Sequence, residues 1–153
     1  MSPNRTIETI DITPKVAKQF LEHNTNNRKV KAHIVARYTY LMKEGKWIDN
    51  GDPIRFSVTD ECIDGQHNLI TVIQSGITLT DAIVIRGLTE EAYDTIDDGA
   101  KRSFGDIGRR QGWTNADKMM ALGKMLVALE RDYELHNQLQ LRLITKQHIV
   151  AYV

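Results

Sequence analysis

The chain has 153 residues, 41% apolar and 26% charged, with Lys+Arg and Asp+Glu both at 20. That length suits one domain with a single core, and without a global basic excess any nucleic-acid role needs a local patch. The single cysteine, Cys62, excludes an intrachain disulfide framework and a Cys-rich zinc site. No run approaches the ~20 apolar residues of a membrane span, and no signal-peptide apolar run opens the sequence, so the cytoplasm is the expected location.

Ile7, Ile10 and Ile12 alternate weakly, as in a short strand or an arm. Thr13-Pro14 then starts a helix, with Thr13 as cap and Pro14 in the first turn, and Val16, Ala17, Phe20 and Leu21 form its apolar stripe. The polar run His23–Asn27 ends it. A second helix over about 30–44 sets Val30, Ile34, Tyr38, Leu41 and Met42 on one face with Val35 beside them, and Gly45 stops it. Arg28, Lys29, Lys31, Arg37, Lys43 and Lys46 lie around the opposite face. Such a face is ordinarily solvated, but it is also the local cation excess that a phosphate would need. Trp47 reads as a core or hinge anchor.

A turn at Asn50–Pro53 leads into an alternating strand over 54–58, which forms a hairpin with 62–63. The helix after Gly65 carries Leu69, Ile70, Val72 and Ile73, nearly apolar all round and therefore buried, and Gly76 caps it. The continuous run Ala82–Ile85 within 79–85 predicts a central strand covered on both faces. Thr89-Glu90-Glu91 opens a short helix, Asp94–Arg102 is a polar surface loop, and Ser103 caps a helix to about Arg110. The longest helix is expected from Thr114 to about Asn137, with a wide stripe from Ala116 through Met120, Gly123 and Val127 to Tyr133. Met119, Met120 and Met125 read as adaptable core filling.

Thr145 caps a last segment that runs to the end of the given sequence, which implies a trimmed end or pairing with another subunit. The expected fold class is α+β, a small mixed sheet from about 54–58, 62–63 and 79–85 flanked by helices, with a C-terminal helical part. Residues 1–112 form the α+β domain in this reading. Residues 113–153 form a helical extension packed on it, and a homo-oligomer through the C-terminal helices is one expected assembly.

The chemistry concentrates at Cys62-Ile63-Asp64-Gly65-Gln66-His67-Asn68-Leu69-Ile70. A strand ends, the chain turns at Gly65 through angles that a side chain forbids, and a helix begins. The first N–H groups of that helix lack intrahelical partners and sit at the positive end of its dipole, which favours phosphate. Asp64, Gln66 and His67 ring the spot. The plain alternative is a strand-to-helix turn with Asp64 as N-cap. No Walker loop, HExxH, cysteine pair or nucleophile elbow occurs. His23, His33, His136 and His148 each stand alone on helical segments and read as solvated or packed. Asp60, Glu61, Asp64 and His67 are ligand-type residues, but hairpin carboxylates are ordinarily solvated, and no metal site is expected.

Asp64-Gly65-Gln66-His67-Asn68-Leu69 resembles the Asp-Gly-Gln-His-Arg-Leu signature of the ParB/sulfiredoxin-like superfamily, in particular small ParB-like proteins of bacteriophages and mobile elements. Asn27-Arg28 with Val30, Tyr38 and Met42 resembles the family's Asn-Arg…Val…Tyr…Met stretch. Gly45-Lys46-Trp47 with Pro53-Ile54 resembles its Gly-x-Trp…Pro-Ile stretch. Asp97-Asp98-Gly99-Ala100-Lys101-Arg102-Ser103 with Asp106 resembles its Asp-x-Gly-x-x-Arg-(Ser/Thr)-x-x-Asp stretch. Together these segments span roughly residues 20–112.

The resemblance implies a ParB-like domain that binds a nucleotide or nucleic-acid phosphate. His67 and Asp64 would be the catalytic candidates, and Arg28, Gly65, Gln66, Asn68, Lys101, Arg102 and Ser103 the ligand contacts. It also implies that the Asp94–Arg102 loop folds over the Gly65 turn. Asn68 stands where the family usually carries Arg, so turnover does not follow from the resemblance. The alternative function is an inactive binding module, a phage protein that engages DNA or a host protein.

Overall fold

The computed structural model describes residues 5–99 and 102–152. In chain order they form β1 (Thr6–Ile12), α1 (Pro14–Glu22), α2 (Ala32–Lys43), β2 (Ile54–Ser57), β3 (Cys62–Asp64), α3 (Gln66–Ser75), β4 (Leu79–Leu88) and α4 (Ala92–Thr95). Then follow α5 (Phe104–Arg110), α6 (Ala116–Glu130), α7 (Gln138–Leu141) and α8 (Lys146–Tyr152). The fold is α+β. No helix among the described residues is long and apolar enough to cross a membrane.

The four strands form one mixed sheet in the order β1-β4-β2-β3. β4 pairs antiparallel with β1 and parallel with β2, and β2 and β3 form the expected hairpin. Residues 6–12 are thus a sheet strand and not a free arm. β4 is central, but it is not covered equally on both faces: Ala82 and Val84 are buried while Ile83 and Ile85 are half-exposed. The buried side joins Ile54, Phe56 and Cys62 with Ala17 of α1, Met42 of α2 and Leu69 and Val72 of α3 in one core. A continuous apolar run therefore marks a strand with one fully covered face, and its β-branched side chains also suit the more open side.

Cap chemistry sets most helix ends. The Thr13 hydroxyl accepts from Val16 N at 3.2 Å, with Pro14 in the first turn of α1. α2 ends with Gly45 left-handed, and Lys46 N reaches back to Leu41 O at 2.8 Å. Trp47 packs edge-on against Tyr38 with ring centroids 5.2 Å apart. Two boundaries differ from the sequence reading. α2 begins at Ala32, leaving Val30 outside the helix and 38% exposed. The longest helix stops at Glu130, well short of residue 137. Asp132 takes a left-handed conformation there, and Tyr133 N donates to Ala128 O at 2.8 Å. That is a Schellman stop without glycine.

The chain divides into two compact units, Met1–Asp98 and Gly99–Val153. The sequence reading grouped α5 with the first part. In the structure α5 packs on α6. Gly108 makes this close approach feasible, since a Cβ there would lie 2.8 Å from Ala116 Cβ. The core of the second unit joins Met120, Val127 and Ala128 of α6 with Ile144 and Ile149. Ser103 opens α5 with a capping box, accepting from Asp106 N at 3.1 Å while its own N–H donates to Asp106 Oδ2 at 2.6 Å. The Thr145 hydroxyl accepts from His148 N at 3.2 Å, as expected of a cap.

Candidate functional site

The edge strand β3 passes into α3 through Gly65, whose φ of +97° is closed to most side chains. A Cβ there would also lie 2.9 Å from Ile54 Cγ1. Gly65, and not Asp64, is the N-cap, and no side chain caps the helix. No side chain therefore caps the N–H groups of the first turn of α3. Asp64 turns back instead to pair with Arg55 across the hairpin.

Gln66 and His67 also face inward. Gln66 Nε2 donates to Arg28 O at 2.7 Å, and Gln66 Oε1 accepts from Asn24 Nδ2 at 3.3 Å. His67 Nε2 accepts from Lys31 N at 3.1 Å. Further bonds tie the same 23–31 segment to β3. Cys62 N donates to His23 O at 2.8 Å, Asn27 Nδ2 donates to Cys62 O at 3.1 Å, and Asn26 N donates to Glu61 Oε1 at 2.9 Å. The motif thus acts first as a clasp that satisfies the backbone of an irregular segment. Lys31 N is already engaged by His67, which helps to explain why α2 starts only at Ala32.

The clasp sets the local charge. Burial first, then the nearby Arg28 and Lys31, lower the His67 pKa below its ordinary 6.5. The imidazole is neutral, and its Nε2 lone pair is engaged. Burial pushes the Cys62 thiol up to about 12, which leaves it inert. Arg28 Nη1 pairs with Asp97 Oδ2 at 2.9 Å, linking the 23–31 segment to the chain just after α4. Below that pair lies a shallow cleft of about 140 Å³ lined by Asn27, Arg28, Ile63, Asp64, Tyr93 and Ile96. It adjoins a second of about 250 Å³ that shares Ile63 and Tyr93 and is walled by Glu61 and Glu90.

No protein-family model, no curated protein and no solved structure matches this chain.

Of the residues singled out from sequence, Arg28, Asp64, Gly65, Gln66 and His67 gather around the β3–α3 turn. Asn68 is half-buried in the first turn of α3. The Asp94–Arg102 loop reaches this region through Asp97, which contacts Arg28 and not the turn itself. Lys101 lies outside the described residues. Arg102 and Ser103 belong to the second unit, where Arg102 O accepts from Lys146 Nζ at 2.6 Å and the Ser103 hydroxyl is engaged in its capping box. Among the described residues no group of three or more His, Cys, Asp and Glu side chains is placed to hold a metal ion.

Sequence reasoning treated Asn24 as part of a bland polar turn and Lys31 as a helix-face cation. Asn24 is in fact a partner of the motif, and Lys31 engages His67 through its backbone N–H. The signal was the density of asparagines in 24–27, residues that bond readily to nearby backbone.

The clasp predicts a pH dependence. A His whose folded pKa is lowered takes up its proton more readily when unfolded, so stability rises with pH in that interval. It is complete above about 6.5 and is lost as the pH falls from there through the lowered folded value. Protonation also removes the acceptor from Lys31 N. Melting curves between about pH 7.5 and 5.5 should show wild type losing stability on acidification more steeply than His67→Gln. Parallel curves would show that His67 is not the group responsible.

Proposed function

We propose that the β3–α3 turn binds a phosphate group of a nucleotide or nucleic acid, as a binding module without turnover. The observation that carries this is the uncapped start of α3 at Gly65, with Arg28 and Lys31 held beside it by backbone hydrogen bonds to Gln66 and His67. Free N–H donors, the helix dipole and two cations favour the same ligand charge. The resemblance of four segments to the ParB/sulfiredoxin-like superfamily supports the same ligand class and a ParB-like domain. Asn27-Arg28, Asp64–His67 and Asp97 come from three of those four segments and bond to one another directly or through one intermediate residue.

Two features argue against chemistry by the motif. Asp64 is held by Arg55, and the acceptor lone pair of His67 is engaged by Lys31 N. Each positions the turn and leaves no free base aimed at a ligand. The clefts are smaller than the ~300–1,000 Å³ of sites that engulf a small molecule, so a nucleotide would be held by its phosphate with its base largely solvated. Glu61 and Glu90 at the far end confine an anion to the Arg28 end. A second reading, a module engaging a protein of the host, is favoured by the inward engagement of Gln66 and His67.

Asp97 pairs with Arg28, so a phosphate binding there must displace its carboxylate. Both partners are about half exposed, and such pairs contribute roughly 0.2–1 kcal/mol. Asp97→Asn should therefore tighten phosphate or nucleotide binding by up to about fivefold. Calorimetric titration of both proteins with inorganic phosphate, ATP and a short single-stranded oligonucleotide tests this. If wild type and Asp97→Asn both ignore all three, the phosphate reading fails and the protein-partner reading takes its place.

A further inference from the structure

The turn that leads into β2 is exposed from Ile48 to Asp52 and holds the single Asn-Gly pair of the sequence, Asn50-Gly51. Three hydrogen bonds fix the groups of that pair. Gly51 N donates to Asp49 Oδ1 at 2.8 Å. Asn50 Oδ1 accepts from Asp52 N at 3.1 Å, and Asn50 Nδ2 donates to Asp52 Oδ2. Asparagine and aspartate side chains bond readily to the backbone two residues on, but here two such turns overlap on one peptide unit. Gly51 has a φ of +74°, and nothing lies within 4 Å of the place a Cβ would take, so the unit is uncrowded on that side.

We propose that Asn50 is a self-modification site, at which Asp49 and Asp52 promote attack of the Gly51 nitrogen on the Asn50 side-chain amide. The bond from Gly51 N to Asn50 Cγ forms as the N–H proton passes to Asp49, which lies within the reach of a general base. Negative charge developing on Asn50 Oδ1 is met by the Asp52 N–H, as in an oxyanion hole. The Cγ–Nδ2 bond then breaks, Nδ2 takes up the proton, and ammonia leaves behind a five-membered succinimide. Water opens that ring at either carbonyl, giving aspartate or isoaspartate at residue 50. The net reaction consumes a water and releases an ammonia, with no change of oxidation state. The product sets a new carboxylate between those of Asp49 and Asp52 and has no Nδ2 to donate, so the bond to Asp52 is lost for good. Isoaspartate also lengthens the main chain just ahead of Ile54, the residue that packs behind Gly65. The inference does not rest on the phosphate site.

Peptide mapping by mass spectrometry, on the full folded chain aged at about 37 °C and about pH 7.5, tests it. Wild type should convert at Asn50 to aspartate and isoaspartate. Asn26, which is also exposed but precedes Asn27, should stay unchanged over the same time. Gly51→Ala should slow the conversion at least about tenfold by crowding the attack. Asp49→Ser keeps an acceptor for the Gly51 N–H but removes the carboxylate, and should also slow it at least about tenfold. Both altered positions are exposed, so folding is retained, and an unchanged circular dichroism spectrum confirms it. Three results overturn the inference: no conversion at Asn50, conversion there no faster than at Asn26, or an unchanged rate in either variant.

Discussion

Gly65→Ala lowers the stability of the first unit by roughly 2–4 kcal/mol. Two costs combine. At φ +97° a Cβ meets its own backbone, and that Cβ also falls 2.9 Å from Ile54 Cγ1 and 3.1 Å from Ile54 Cα. Ile54 is fully buried on β2, so it has no open space to move into. In a unit of this size each kcal/mol is worth about 4–8 °C, so the melting transition should fall by roughly 8–32 °C. Gly76→Ala is the control. Its φ is +73°, but nothing lies within 4 Å of the added Cβ, so only the backbone cost of about 1 kcal/mol applies. Equal losses at the two positions would mean that the close approach of the turn to β2 does not matter.

How much of this was legible in the sequence depended on the range of the interaction. Local chemistry read well. Thr13-Pro14, Ser103 and Thr145 open helices where they should, Gly45 and Gly76 close them, and the 54–58 and 62–63 strands pair. The Gly65 turn was visible because a glycine between an apolar strand and an apolar helix has few other uses. Long-range partners were not legible. Gln66 and His67 find theirs 36–42 residues away in the 23–31 segment, and periodicity carries no information about that pairing. Asp97 meets Arg28 across 69 residues. The packing of α5 on α6 was hidden because it rests on the close approach of Gly108 to Ala116, and the early end of α6 because Asp132 takes the place usually held by glycine.

The second large effect concerns Arg28. A charge-assisted contact between a guanidinium and phosphate contributes roughly 1.5–3 kcal/mol when well formed. Arg28→Ala should therefore weaken phosphate or nucleotide binding about ten- to a hundredfold. Its melting temperature should stay near that of wild type, because the side chain is 44% exposed and its ion pair is a surface one. The clasp itself survives the change, since Gln66 bonds to the carbonyl of residue 28 and not to its side chain. Arg28→Lys should recover part of the affinity, because a lysine restores the charge without the two-pronged geometry. If Arg28→Ala binds as tightly as wild type, the cation at this position is not a ligand contact.

If phosphate sits on the first turn of α3, as proposed, amide chemical shifts read that turn directly. In a titration of the isotopically labelled chain with inorganic phosphate and then ATP, the amides of Gln66, His67 and Asn68 should move together and saturate. Those of β1 and α6 should stay still, and the same shifts should need about ten- to a hundredfold more ligand in Arg28→Ala. Shifts that appear elsewhere while Gln66, His67 and Asn68 remain unmoved at saturating ligand would place the phosphate away from the α3 turn.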